Sequence, residues 1–295
     1  MADMAAAREE DLRDRSKPGA DIDPELLRDL PSPARRRMRI QLERLALIVG
    51  LLIAWQLFSG NPNHGLTLID EFYISKPSAM YDSISTWLEQ GTLFSNLFVT
   101  IQETLIGFVI GAALGMLVGF LLGTSPHLSA VFSPIMAALY AIPRLALIPL
   151  FLLWFGLGMG SKLALVITVV FFLVFYNTHS GVRDVDQGLV DVLKVMKASR
   201  WHIHTKVTIP SAMAWIIAGL QVSVPYALVA AVTGEMTASN SGMGYLIIRA
   251  SGQFNTAGVF AGIFVLMVLA LLLGAVVAML EKRLLGWKRN RLNDI

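Results

Sequence analysis

One arginine lies in the middle of a long apolar stretch, where charged side chains are rare. Arg144 follows Pro143 and precedes Pro149. A guanidinium in such a place needs water, a partner or an anion, and its planar fork suits the paired oxygens of an oxyanion such as a carboxylate. Glu103 and Glu235 also lie in apolar stretches. Either these residues line an aqueous path through the bundle, or Arg144 has a structural partner in Glu103 or a backbone carbonyl and Glu235 is a satisfied polar end of a helix.

The other reactive residue types form no pattern of a catalytic or metal site. The chain has no cysteine, which excludes disulfides, thiolate metal sites and cysteine nucleophiles. Residues 156–162 are rich in glycine but lack the Gly-Lys-Ser/Thr ending of a phosphate-binding loop. His202 and His204 stand two apart without a carboxylate or third histidine nearby. We expect neither an enzyme nor a metal centre on this chain.

The composition is that of an integral membrane protein. Of 295 residues, 55% are apolar and 15% are charged, whereas soluble domains carry about 25% charged residues. The mean hydropathy is +0.62. Since a membrane-spanning helix needs about 20 apolar residues, we predict an all-α polytopic fold with about six transmembrane helices. The predicted spans are 42–59, 97–123, 128–156, 161–178, 210–234 and 256–281.

The third predicted span, 128–156, could instead form two half-spans, which would change the topology. The placement of the charged residues favours six spans. The segments 1–44, 124–127, 179–209 and 282–295 then share one side and hold 20 of the 24 Lys and Arg residues. This bias predicts that both termini are cytoplasmic. Residues 1–41 have no apolar period, so we predict a disordered cytoplasmic tail. A transmembrane domain over 42–284 and a short cytoplasmic tail over 285–295 are predicted to follow it.

The second predicted span carries a glycine every four residues. These are Gly107, Gly111, Gly115, Gly119 and Gly123. Such spacing makes a smooth ridge that another helix can approach closely. The ridge serves either packing alone or packing plus sliding between two states.

The loop 179–209 is predicted to hold a short amphipathic helix from Gln187 to Lys197. Leu189, Val192, Leu193 and Met196 fall on one face, and Asp186 can cap the start. A helix this short is marginal in water, so it packs against its own bundle or another protein. Pro210 then opens the fifth span, where its missing N–H is harmless.

This loop resembles the "EAA" coupling loop of binding-protein-dependent ABC importer permeases. The resemblance lies in 191–193, 197–201 and 207–212, with Asp191 where Glu is usual and Lys197 where Gly is usual. Segments 142–149, 154–156, 181–183 and 234–246 are similar to the nitrate/sulfonate/taurine branch. The resemblance implies a type I importer permease whose coupling residues are Asp191, Leu193, Lys194, Met196, Lys197, Ala198, Ser199, Arg200, Trp201 and Pro210.

The same resemblance implies the partners and the location. They are a second permease copy, two cytoplasmic ATPase subunits and an external solute-binding protein, in the bacterial inner membrane. ATP and Mg would bind the ATPase, with no cofactor on this chain. The solute would be a small anion such as an alkanesulfonate, taurine or nitrate, although related permeases also move neutral heterocycles. Arg144, Tyr140, Glu235 and Glu103 would line its path.

Two other classes of protein remain open at this point. A stand-alone secondary transporter or channel would work from an ion gradient without an ATPase. An intramembrane enzyme would need paired catalytic groups at one depth, which the sequence does not offer.

Overall fold

A computed structural model describes residues 33–60 and 69–284, and almost all of them are helical. The chain divides into two units, one ending at Leu57 and the other beginning at Phe58. Helix α1 is Pro33–Phe58, and all but its last residue belongs to the first unit. This helix begins earlier than the predicted first span, so part of the predicted tail is helical, and Arg39 and Glu43 form an i,i+4 ion pair there. Residues 1–32 and 285–295, on which the rest of the tail predictions fall, lie outside the described residues.

The second unit opens with a two-residue parallel strand pair and a chain of helices. Strand β1 is Ser59–Gly60 and β2 is Ile69–Asp70. The helices that follow are α2 Pro77–Glu89, α3 Thr92–Thr124, α4 Pro126–Ala141, α5 Ile148–Phe155, α6 Met159–Arg183, α7 Gln187–Val195, α8 Arg200–Ile203, α9 Ile209–Ala238, α10 Met243–Gly252 and α11 Thr256–Leu284.

Five helical stretches within the described residues are long and apolar enough to span a membrane, or six if the bent pair α4 and α5 counts as one span. The bent pair corresponds to the predicted third span. Its two parts meet at 81°, with a 3-10 turn at Arg144–Leu147 in the break. Pro143 explains the break, because proline lacks an N–H and forces the preceding residue out of the helical region.

The fifth span differs from its prediction at its start. Helix α8 continues through a π-helical turn at His204–Thr208 directly into α9. The Ile209 N–H bonds to the His204 carbonyl, five residues back. Pro210 thus lies inside a continuous helix, and the wider turn before it accommodates the missing donor.

Helix α6 is the centre of the second unit. Val166, Val170 and Val174 recur every four residues and are fully buried, against Ala112 of α3 and Ala227 of α9 among others. The glycine ridge of α3 faces α6 along its length. A Cβ at Gly107 would meet Val166 at 2.6 Å, and one at Gly115 would meet the Phe171 carbonyl oxygen at 2.6 Å. The predicted close approach is confirmed, and α6 is its partner.

Candidate functional site

Arg144 lies in the break between α4 and α5, the irregular backbone within the bent pair. Its Nη2 donates to the Tyr140 carbonyl oxygen at 3.3 Å. Its guanidinium carbon sits 4.4 Å from the Tyr140 ring centroid and 5.5 Å from that of Phe172. Both distances are those of cation–π contacts. Nε is buried and has no partner among the described residues, so this guanidinium keeps unused donor capacity.

The rings that hold Arg144 also wall a cavity of about 350 Å³. Tyr140 of α4 and Phe172 and Tyr176 of α6 meet edge to face, with ring centroids 5.9 and 4.9 Å from Tyr140. Leu173 and Asn177 complete the lining. The arginine and the cavity are therefore neighbours, and Tyr140 belongs to both.

Arg144 is not the partner of Glu103. That carboxylate instead accepts from Lys162 Nζ at 2.9 Å, and the two side chains are 2% and 5% exposed. Lys162 also donates to Ser239 Oγ at 2.6 Å. Lys162 follows a glycine-rich turn and lies in the first turn of α6. The structure brings its side chain into the bundle, where a carboxylate compensates its charge.

Glu235 holds the start of α10. Its Oε1 accepts from Thr100 Oγ1 at 2.7 Å and its Oε2 accepts from the Gly244 N–H at 2.7 Å. Thr100 Oγ1 in turn accepts from the Met243 N–H, and Asn96 Oδ1 accepts from the Gly242 N–H, both at 2.8 Å. The first amides of α10, which no intrahelical carbonyl can receive, are thus received by side chains of α3 and α9.

Close approach of this backbone requires glycine at two positions. A Cβ at Gly242 would collide with the Glu235 carboxyl, and one at Gly244 would collide with the Val232 carbonyl oxygen. Gly242 also has φ +102°, a conformation that L side chains rarely adopt. We call Asn96, Thr100, Glu103, Lys162, Glu235 and Ser239 the polar cluster. It joins α3, α6, α9 and the loop before α10.

Sequence reasoning found two of the six members. Glu103 and Glu235 stood out as charges in apolar stretches, but Asn96, Thr100, Lys162 and Ser239 were missed. A signal existed, because Asn96, Thr100 and Glu103 are spaced i, i+4, i+7 and so share one helical face. The same face continues into the glycine ridge, which marked the side of α3 that is buried. No cluster of three or more His, Cys, Asp or Glu that could hold a metal occurs in the described part of the chain.

The predicted loop helix is present as α7. The Asp186 carboxylate caps it by accepting from the Gly188 N–H at 2.8 Å. Val192, Val195 and Met196 are 59%, 84% and 72% exposed, while Leu193 is half-buried. Asp191 pairs with Lys194 at 2.9 Å on the helix surface. Most of the apolar face therefore has no cover within the second unit.

A left-handed residue ends α7. Lys197 has φ +56°. The Lys197 N–H bonds to the Lys194 carbonyl at 2.9 Å and the Ala198 N–H bonds to the Leu193 carbonyl at 3.0 Å. These two bonds define the Schellman motif, in which glycine is the usual left-handed residue. The lysine therefore makes the turn that glycine makes in the loop which this segment resembles.

The other predicted loop residues lie between this turn and α9. The Ser199 hydroxyl caps α8 by accepting from the His202 N–H at 3.2 Å. Arg200 and Trp201 are exposed, Ala198 is half-buried, and Pro210 is exposed near the start of α9. The loop residues are thus brought together at one end of the bundle. Arg144 and Tyr140 lie in the broken span, and Glu103 and Glu235 lie at the opposite end.

Comparison with known proteins places this architecture in a family. Residues 111–286 match the family described as binding-protein-dependent transport system inner membrane component. A protein of Bacillus subtilis (strain 168), named as an aliphatic sulfonates transport permease, is 33% identical over 259 residues, 88% of this chain and 91% of its own length. The riboflavin transport system permease of Chloroflexus aurantiacus is 33% identical over 240 residues, 81% and 87% of the two chains.

Solved structures agree on the fold. An inward-facing structure of the MetNI methionine ABC transporter superposes with a TM-score of 0.60 at 16% identity, covering 66% of this chain and 97% of the other. The family match and the permease relatives do not favour the stand-alone secondary transporter or channel. The chain belongs to the inner membrane components of binding-protein-dependent transport systems, as an ABC importer permease of the branch that includes the sulfonate and taurine permeases.

Proposed function

We propose that an ATPase subunit docks on α7, and that the permease works as a pair with one ATPase for each copy and an external binding protein that delivers the solute. The observation that carries this proposal is the apolar face formed by Val192, Val195 and Met196, which is exposed on a helix of nine residues. Since isolated helices of this length are marginal in water, such a face calls for a partner. A groove on another protein is the common recognition mode for an amphipathic helix. ATP and Mg would bind that partner, and this chain would hold no cofactor.

The way in which α7 joins the bundle supports a role in transmitting motion. Only residues 196–199 separate it from the continuous helix that begins at Arg200. The Schellman turn at Lys197 and the Ser199 cap fix both ends of that connection. A movement of α7 therefore reaches α9 through hydrogen-bonded backbone rather than through a free linker.

We further propose that Arg144 and Tyr140 line the solute path. Irregular backbone at membrane depth is expected where it lines a cavity or is covered by protein. The break at Arg144 stands beside the aromatic cavity, and the buried Nε has no partner among the described residues. An arginine with spare donors suits a sulfonate, nitrate or carboxylate. Together with the name of the Bacillus subtilis relative, this favours a small organic or inorganic anion such as an alkanesulfonate, taurine or nitrate.

Glu103 and Glu235 have a different role in this proposal. Their carboxylates are committed to Lys162, Thr100 and the Gly244 amide. They would hold the start of α10 against the bundle during transport, and so would act on the path without contacting the solute.

The orientation in the bacterial inner membrane would place both termini and α7 in the cytoplasm. The concentration of Lys and Arg in 1–44, 179–209 and 282–295 supports it. Single cysteines at Asn240 and Lys206 test it, since both residues are exposed and the chain has no native cysteine. A membrane-impermeant thiol reagent added to intact cells should label the Asn240 variant and spare the Lys206 variant until the membrane is opened. The reverse pattern would refute this orientation.

Docking on α7 is tested with a charge on its exposed face. We expect Met196→Asp to abolish co-purification of the ATPase while the permease still inserts. Met196→Leu is the matched control, because it keeps an apolar side chain of similar size and should retain the ATPase. If Met196→Asp retains the ATPase and full transport-coupled ATP hydrolysis, the ATPase docks elsewhere.

A further inference from the structure

A second cavity, of about 680 Å³, lies at the end of the bundle that carries α7. Its wall is built from the turn between α3 and α4, the end of α6, one side of α7 and the helix that starts at Arg200. Three cationic side chains, Arg183, Lys194 and Arg200, line it. Within the described residues no Asp or Glu lines this cavity, so its fully charged lining side chains are all cationic.

The two arginines lack a carboxylate partner in the described part of the chain. Arg183 donates from Nη1 to the Ser129 hydroxyl at 3.1 Å, and Arg200 forms no ion pair there. The nearest acidic residues along the chain are otherwise engaged. Asp184 accepts from Trp215 Nε1, and Asp186 caps α7. Lys194 pairs with Asp191, but this exposed ion pair is weak. An anion in the cavity would relieve repulsion among the three cations.

The position of the cavity points to lipid. Thr124 and Arg183 are the last residues of α3 and α6, two antiparallel membrane-spanning helices, and both line the wall. The cavity is therefore level with the ends of the spans, where phospholipid headgroups lie. Its wall also includes apolar side chains, Val182 and Ile203 among them. A mixed wall of this kind suits a phosphate group that carries a glycerol backbone and acyl chains.

We infer that this cavity binds the phosphodiester headgroup of an anionic phospholipid, with Arg183 and Arg200 as its charged ligands. The inference rests on the proposed function for one point, the cytoplasmic orientation of this end. The cytoplasmic leaflet carries anionic lipid, and basic pockets between membrane helices on that side bind such headgroups. Because Lys194 belongs to α7, a bound headgroup would also contact the helix that receives the ATPase.

The test uses the full permease, without its ATPase, in lipid nanodiscs. Discs contain phosphatidylcholine alone or mixed with phosphatidylglycerol, and native mass spectrometry measures the lipid retained on the protein. We expect wild type to retain phosphatidylglycerol preferentially. Arg183→Gln/Arg200→Gln should lower that preference by about tenfold or more, as loss of charge-assisted hydrogen bonds predicts. Lys206→Gln is the control, since Lys206 is exposed at the same end and does not line the cavity.

The remaining arms separate the alternatives. Arg183→Lys/Arg200→Lys keeps the charge and should retain an intermediate preference. If the double variant fails to assemble, Lys194→Gln is the alternative, because Lys194 is exposed and its loss leaves no cavity in the fold. This variant should also weaken retention of the lipid. Equal retention by wild type and all variants would overturn the inference. So would displacement of the lipid by inorganic phosphate, which would indicate a soluble oxyanion. Because the measurement uses no ATPase and no transport, failure of docking on α7 would leave its result unchanged, and thiol labelling tests the orientation separately.

Discussion

Lys162 Nζ lies 2.9 Å from Glu103 Oε1. Glu103 belongs to α3 and Lys162 to α6, and where these helices face each other the glycines of α3 lie against valines of α6. The ion pair thus closes one end of the close contact between α3 and α6. Its partners are 59 residues apart in sequence. Removing one partner of a buried pair costs about 3–5 kcal/mol, because the other charge is left without compensation.

We therefore predict that Lys162→Met or Glu103→Gln alone lowers the free energy of unfolding by about 3 kcal/mol or more. The double variant should recover a large part of the loss, since no uncompensated charge from the pair remains. Unfolding of the detergent-solubilised protein in a denaturant titration measures all four species of the cycle. Additive losses would show that the two residues do not interact energetically.

The glycine ridge allows a second prediction about stability. Gly115→Ala places a Cβ 2.6 Å from the Phe171 carbonyl oxygen, and a backbone atom cannot move away cheaply. We expect a loss of about 1–3 kcal/mol, as for other overpacked sites. Gly274→Ala is the matched control on α11, where a Cβ would meet nothing within 4 Å. If both variants unfold alike, the α3–α6 contact is looser than the structure indicates.

The left-handed residue at the end of α7 predicts a stabilising substitution. A non-glycine residue in this conformation costs roughly 1–2 kcal/mol. Lys197→Gly should therefore slow hydrogen exchange of the Ala198 amide, which closes the Schellman motif. Lys194→Gly, inside α7, should have the opposite effect by about 1 kcal/mol. Faster exchange at Ala198 in the Lys197→Gly variant would contradict the assigned turn.

The proposed path predicts a transport defect without an assembly defect. Arg144→Ala should insert and bind its ATPase but lose most uptake of sulfonate or taurine in vesicles. Arg144→Lys should recover part of it, since the charge stays and the planar fork is lost. Leu153→Ala is the control, because Leu153 is 80% exposed on the neighbouring helix. Normal uptake by Arg144→Ala would reject the role of Arg144 in the path. If the wild type takes up riboflavin rather than sulfonate or taurine, the aromatic cavity receives a planar ring.

The sequence predicted the helices that long apolar stretches form. The apolar stretches that form α3, α6, α9 and α11 are long enough to identify each span, and the glycine spacing identified the packed face of α3. Helix α10 was not predicted, because it is short and its start is stabilised by side chains from α3 and α9 rather than by its own sequence. The bend at Pro143 could be located, but its angle depends on packing against other helices.

The site shows a similar division. An arginine in an apolar stretch is visible in the sequence, and so is an amphipathic loop helix. The prediction that Glu103 could be the structural partner of Arg144 was wrong, because Glu103 pairs with Lys162. Only the antiparallel packing of α3 and α6 decides which cation reaches that carboxylate. Lys197 in a left-handed turn was not foreseeable from propensity, because tertiary and capping bonds outweigh a modest local cost.

The continuous helix from Arg200 to Thr237 has a mechanical consequence. At a rise of about 1.5 Å per residue, its 38 residues form a rod roughly 57 Å long. A tilt of about 5° at one end would shift the other by about 5 Å if the rod stays straight. One end of this helix begins at Arg200, directly after Ser199 and close to the end of α7 in sequence. The other end carries Glu235, whose carboxylate accepts a hydrogen bond from the Gly244 N–H. A small displacement of the loop at one end of this helix would therefore be enough to break or re-form the two 2.7 Å hydrogen bonds of Glu235 at the other end.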